Sequence, residues 1–221
     1  MQEWLIRDPR DAEGGDEVEF RLSYAGPLYA STNRDPQANH KHELRKHFHP
    51  QLKRLWNDYE HLKEMQHPLP EDVITVNAPP PPERVKHLAE QFAYFGTYNF
   101  VPLVTEDLVL KCGNHVLFLR PEKPGKILQN GDIDNRIKTL FDALKMPKQL
   151  QEVGDYTSPG EDERPFYCLA QDDRLITSLA VETDLLLEPI DGKHPSASDA
   201  RLVITVTIRP ARLTYGNMGF V

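Results

Sequence analysis

Residues 131–144, Gly131-Asp132-Ile133-Asp134-Asn135-Arg136-Ile137-Lys138-Thr139-Leu140-Phe141-Asp142-Ala143-Leu144, constrain the fold more than any other stretch of the chain. Ile133, Ile137, Leu140, Phe141 and Leu144 recur at spacings of three and four, which predicts an α-helix with one buried face. Asp132 follows a glycine and suits the N-cap, where a carboxylate satisfies free N–H groups and complements the helix dipole. Asp134, Lys138 and Asp142 fall at i, i+4 and i+8 and share a polar face beside the buried stripe. Taken alone, this is ordinary helix-surface chemistry: Asp132 caps, Asp134 pairs with Lys138, and the face is solvated.

A second acidic pair changes the weight of the first. Gln171-Asp172-Asp173-Arg174 stands directly before an apolar-rich run, so two more carboxylates sit at the start of an expected strand. Hard divalent cations need several carboxylate oxygens brought together from separate elements, with water and substrate phosphate completing the shell. Asp132, Asp134, Asp172 and Asp173 could supply them.

At these residues the chain resembles the RusA family of Holliday-junction resolvases. That family carries Asp-x-Asp-Asn-x-x-Lys opening a helix, Asp-Ala-Leu further along it, and Asp-Asp before a following strand. Here the three parts read Asp132-Ile133-Asp134-Asn135-Arg136-Ile137-Lys138, Asp142-Ala143-Leu144 and Asp172-Asp173. The resemblance implies that Asp132, Asp134 and Asp173 bind catalytic Mg²⁺ and that Lys138 is essential; whether Mn²⁺ replaces Mg²⁺ stays open in the sequence. It also implies a homodimer, because a four-way junction needs two symmetric incisions. Asp142 and Asp172 are then acids that orient the ligands or hold Lys138.

The rest of the chain is consistent with one domain. Its 221 residues can bury a sizeable core, no stretch approaches a membrane span, and Met1-Gln2-Glu3-Trp4-Leu5 lacks a signal-peptide pattern, so the expected location is cytoplasmic. Cys112 and Cys168 form neither a metal motif nor a disulfide framework and are read as buried or idle thiols. A net charge of −8 and a pI near 5.6 argue against a generally basic nucleic-acid coat. DNA contact must then come from local cationic patches. Two are candidates: Lys41, Arg45 and Lys46, with Lys53 and Arg54, on a helical segment, and Arg120, Lys123, Lys126 and Arg136 around the approach to the Asp-x-Asp helix. A solvated charged face and a solubilising loop are the plain readings of the same residues. His40, His42, His47 and His49 lack acids or cysteines at metal spacing and are read as exposed.

Taken in order, residues 1–16 read as a flexible acidic lead and Val18, Phe20, Leu22 and Tyr24 alternate as a strand. The loop after Pro27 is placed at an active-site edge. Residues 41–65 have helical spacing interrupted by Pro50, which predicts a kink or a turn followed by a helix starting near His49. Proline-rich residues 66–84 are a connector, followed by a helix over Glu83 to Tyr94. Tyr98 to Val104, Leu108 to Cys112 and His115 to Arg120 read as strands, the last two joined by a Gly113-Asn114 hairpin turn. Residues 145–170 form an acidic insertion relative to shorter RusA proteins, and would repel a DNA backbone. Strands near Leu175 to Leu187 and Leu202 to Ile208 close the domain, leaving 212–221 as a tail that is loose or packs on a partner.

The expected architecture is α+β: a single RusA-like domain over residues 17–211, with a mixed β-sheet and helices packed on one side. The expected activity is Mg²⁺-dependent cleavage of Holliday junctions or other branched DNA. A branched-DNA-binding or regulatory protein that keeps the fold without the chemistry is the alternative.

Overall fold

Alternation in the sequence becomes a sheet buried on one face. The computed structural model describes residues 18–32, 37–64, 84–93, 97–122, 132–190, 192 and 196–220. The acidic lead, almost all of the 66–84 connector, Lys123 and Lys126 lie outside these residues. Strand β1 (Val18–Pro27) turns Val18, Phe20, Leu22 and Tyr24 inward and leaves Arg21 exposed. It pairs antiparallel with β6 (Asp199–Pro210), whose Ala200, Leu202, Ile204, Val206 and Ile208 are buried. The central strand β3 (Leu110–Arg120) lies antiparallel to β6 and parallel to the edge strand β5 (Ile176–Leu185), giving the order β1-β6-β3-β5. A separate pair of short parallel strands, β2 (Phe100–Val104) and β4 (Phe166–Ala170), is buried along its whole length. Unbroken burial accounts for the continuous apolar sequence of both. Strand β4 falls within 145–170, read from the sequence as an acidic insertion with no strand expected. The whole is a single α+β domain with a mixed sheet.

Among the described residues four α-helices accompany the strands: α1 (Ala38–Asp58), α2 (Glu60–Glu64), α3 (Arg84–Gln91) and α4 (Asp132–Leu144). Leu44, Phe48, Leu52, Leu55 and Trp56 of α1 and Ile133, Ile137, Leu140 and Leu144 of α4 share one core with the inner face of the sheet. Pro50 does not divide α1. It lies inside a continuous helix, on its exposed side. The chain breaks instead at Tyr59, before α2.

The expected hairpin at Gly113-Asn114 is absent, and both residues lie within β3. The inward phase Leu110, Cys112, Asn114, Val116, Phe118 runs through them unchanged. Gly113 serves close approach rather than a turn: a β-carbon there would stand 3.0 Å from Thr207 Oγ1 and 3.4 Å from Ser178 Cβ. The register of β3 on β5 also shifts at this point.

Two further segments fold onto the domain. Residues 215–220 form a 3₁₀ turn with Phe220 buried, and Asn217 Nδ2 donates to the carbonyls of Leu108 (2.7 Å) and Arg212 (2.9 Å). This end of the expected tail is therefore packed. The acidic insertion is likewise built in. Val153 and Pro159 are buried, and the carbonyl and carboxylate oxygens of this segment meet α1. Among the described residues no helix is long and apolar enough to cross a membrane.

Candidate functional site

Helix α4 forms as its spacing requires, from Asp132 to Leu144. Asp134 and Lys138 are exposed on its polar side, while Asp142, two turns beyond Asp134, is half-buried. The loop after β1 does meet this helix. The Ser31 N–H donates to Thr139 Oγ1 (3.0 Å), whose hydroxyl donates back to the Asn135 carbonyl (2.9 Å).

The C-terminal end of α4 is where the two halves of the motif meet. Met146 N–H donates to the Ala170 carbonyl (2.9 Å), and Lys145 forms a parallel bridge with Ala170. The residues just after β4 are thereby brought beside the last turn of α4. Lys145 Nζ lies 3.1 Å from Asp142 Oδ1 and 2.8 Å from Asp173 Oδ2, so one ammonium joins an acid of α4 to an acid of the second pair. Lys41 Nζ adds 2.7 Å to Asp142 Oδ2 from α1. Burial alone would raise the Asp142 pKa, but the two ammonium groups outweigh it and hold the carboxyl below the usual range. Burial works to lower the Lys145 pKa, and its bonds to Asp173 and Asp142 outweigh that to raise it.

Asp172 is almost fully enclosed and caps the 3₁₀ turn Asp173–Leu175, accepting from Arg174 N–H (3.0 Å) and Nε (3.0 Å) and from the Lys148 ammonium. Despite the burial penalty, these donors hold its carboxyl far below the usual range. Arg174 also reaches Glu106 Oε1 (3.0 Å).

Lys145 and Lys148 went unread in the sequence. Lys145 stands at i+3 from Asp142, an ordinary helix-pair spacing, but its second partner lies 28 residues on. Asp142 is held by Lys41 and Lys145 rather than by Lys138.

The proposed DNA-contacting cations are mostly engaged inside the molecule. Arg45 is 2 % exposed and donates to the carbonyls of Asp142 (2.7 Å), Glu152 (2.7 Å) and Lys145 (3.4 Å). It satisfies the free carbonyls at the end of α4, where a cation also suits the helix dipole. Lys46 pairs with Glu163 (3.1 Å) and stands 5.1 Å from the Tyr156 ring centroid. Lys53 donates to the Asp162 carbonyl (3.1 Å), and Arg54 pairs with Asp58 (2.8 Å). Arg120 is buried at the end of β3 beside Glu122 (3.1 Å), and Arg136 is buried and donates to the Ala197 carbonyl (2.9 Å). Acidic residues 152–163 thus face the basic side of α1.

Three of the four α1 histidines are buried, contrary to the reading as exposed. His40 Nε2 accepts from Tyr29 N–H (3.3 Å), His49 Nδ1 accepts from Tyr167 N–H (2.9 Å), and His42 packs against the rings of Tyr98, Tyr156 and Phe166. Only His47 of this group is exposed. Both cysteines are buried, and burial pushes each thiol up to about 12.

For a divalent cation the donor chemistry fits. The acids supply hard carboxylate oxygens only. Asp142 of α4 and Asp173 of the turn after β4 converge on the Lys145 ammonium, whereas Asp134 stands eight residues earlier on α4, about 12 Å along its axis, and is not brought to Asp173. The carboxylate of Asp132 is outside the described residues. Among those described, no group of three His, Cys, Asp or Glu side chains stands close enough to hold a metal.

Compared with protein-family models, with curated proteins and with solved structures, the chain matches none.

Proposed function

We propose that this protein is a Mg²⁺-dependent, structure-specific endodeoxyribonuclease that cuts Holliday junctions or other branched DNA by phosphodiester hydrolysis, acting as a homodimer. The observation that carries the reading is the Lys145 bridge, which brings the end of the motif helix to the Asp172-Asp173 pair. The resemblance to the RusA motif assigns the metal, Mg²⁺ or Mn²⁺, to Asp132, Asp134 and Asp173, while the bridge itself sets Asp173 beside Asp142, two turns beyond Asp134. When bound, the metal would supply an activated water and offset charge developing on the phosphate.

The chain's own side chains have separate tasks. Lys138, exposed one turn after Asp134, offers a positive charge to a phosphate oxygen. Asp142 and Lys145 fix the end of α4 against Asp173, while Lys148 and Arg174 lock Asp172 in its turn.

The second reading, branched-DNA binding without cutting, is favoured by one specific observation. The acids that meet are already neutralised by the Lys145 and Lys148 ammonium groups. Incubation with a labelled four-way junction and a matching linear duplex, with Mg²⁺ and with chelator, separates the two. Symmetric nicks in the junction that disappear with chelator and in Asp134→Asn are the expected result. Tight junction binding without nicks supports the second reading, and neither binding nor cutting overturns both.

A further inference from the structure

The two edges of the four-stranded sheet are finished differently. On β1, Ser23 N–H donates to Gln51 Oε1 (2.9 Å), and its carbonyl accepts from Gln51 Nε2 (2.8 Å) with His47 Nε2 at 3.0 Å, so α1 side chains close the middle of that edge. On β5 one side pairs with β3, and among the described residues no other element bonds to the opposite side. Thr177, Ser178, Leu179 and Ala180 are exposed, Leu179 by 48 % although it faces the same way as buried Asn114 of β3.

An open edge invites another strand unless charge, proline or a bulge blocks it. The strand β5 has no proline, its register shift falls at its start, and Ile176 to Val181 carry no charge. Its charges, Glu182 and Asp184, lie in the second half. That asymmetry selects the occupant. A second copy related by a two-fold axis must pair antiparallel. Centred on Ala180, this pairing sets Glu182 against Ser178 and Asp184 against Ile176, so the acids of one copy never oppose those of the other. The same register stacks Leu179 on Val181 twice, covering the partly exposed apolar side chains at the edge. Ala180, at the axis, is small enough for close approach.

We propose that β5 is the dimerisation edge, joining two copies through antiparallel β5–β5 pairing centred on Ala180 into one eight-stranded sheet. This deepens the two-fold assembly of the proposed function by naming its surface, and it uses no catalytic step. It also sets Asp173, seven residues before Ala180, within roughly 20 Å of the axis, so the two sites flank the same seam.

Light scattering of the full chain tests the assembly, and cysteine crosslinking tests the register. Cys112 and Cys168 are buried, so Ala180→Cys adds the one accessible thiol among the described residues. The expected results are a mass twice 25.4 kDa, rapid disulfide formation in Ala180→Cys, none in Leu187→Cys beyond the strand, and a folded monomer for Leu179→Glu. A dimer that survives Leu179→Glu and does not crosslink at Ala180→Cys overturns the β5 edge and leaves a two-fold assembly elsewhere. A monomer at every concentration overturns both the edge and the two-fold assembly, while junction cleavage still judges the chemistry separately.

Discussion

His42 shows how one side chain ties stability to pH. Its Nε2 is 3.3 Å from the Tyr98 hydroxyl, which donates to the Tyr156 carbonyl (3.2 Å), and its buried Nδ1 has no partner among the described residues. A second proton would have to sit on that bare nitrogen in an aromatic pocket. Burial, with nearby Arg45 adding to it, pushes the His42 pKa down to about 4, and burial lowers His40 and His49 as well. Between about pH 6.5 and 4 the unfolded chain therefore binds the proton that the folded chain refuses. The stability gained by keeping His42 neutral is present above about pH 6.5 and lost progressively as pH falls toward 4. Urea midpoints should fall between about pH 7 and pH 5, and His42→Leu should flatten that slope. An identical slope in the variant would show that His42 is not responsible.

At the scale of elements, Arg45 is the joint between α1, the end of α4 and the segment around Glu152. Its buried guanidinium satisfies three carbonyls of part-buried contacts, so truncation leaves them without that partner. Arg45→Met should cost about 2–4 kcal/mol in urea unfolding, and Arg45→Lys should recover only part because an ammonium cannot span all three acceptors. A loss below about 0.5 kcal/mol would place Arg45 among ordinary surface charges.

The same scale shows what the sequence could reveal. The α4 stripe was legible because helix period is local, and Ile133, Ile137, Leu140 and Leu144 bury as their spacing requires. The inward residues of β1 and β6 were legible for the same reason. Gly113-Asn114 was misleading because a glycine that admits neighbouring strands closely has the same composition as one that turns a hairpin. Arg45 and the buried histidines were read as surface because a polar residue's burial depends on partners about a hundred residues away. The Lys145–Asp173 contact was hidden for a related reason, since it depends on the chain after α4 aligning with β4.

For the whole molecule, the open side of β5 and the lysine-bridged acids lie next to each other in the chain, Asp173 opening the turn that leads into the strand. An acidic protein whose described cations are largely paired internally has few left for a broad phosphate footprint. If the proposed function holds, its affinity for DNA rests on few ionic contacts and shows a shallow salt dependence. The central claim is that Asp173 acts with the motif helix on DNA, and the most direct measurement is single-turnover cleavage of a four-way junction in Mg²⁺ by the natural chain and by Asp173→Asn. Asp173 is more than half exposed, so losing its ion pair should leave the thermal midpoint nearly unchanged. The account predicts junction cleavage by the natural chain and a loss on the order of a hundredfold in the variant. Equal cleavage by both, or none by the natural chain, would contradict it.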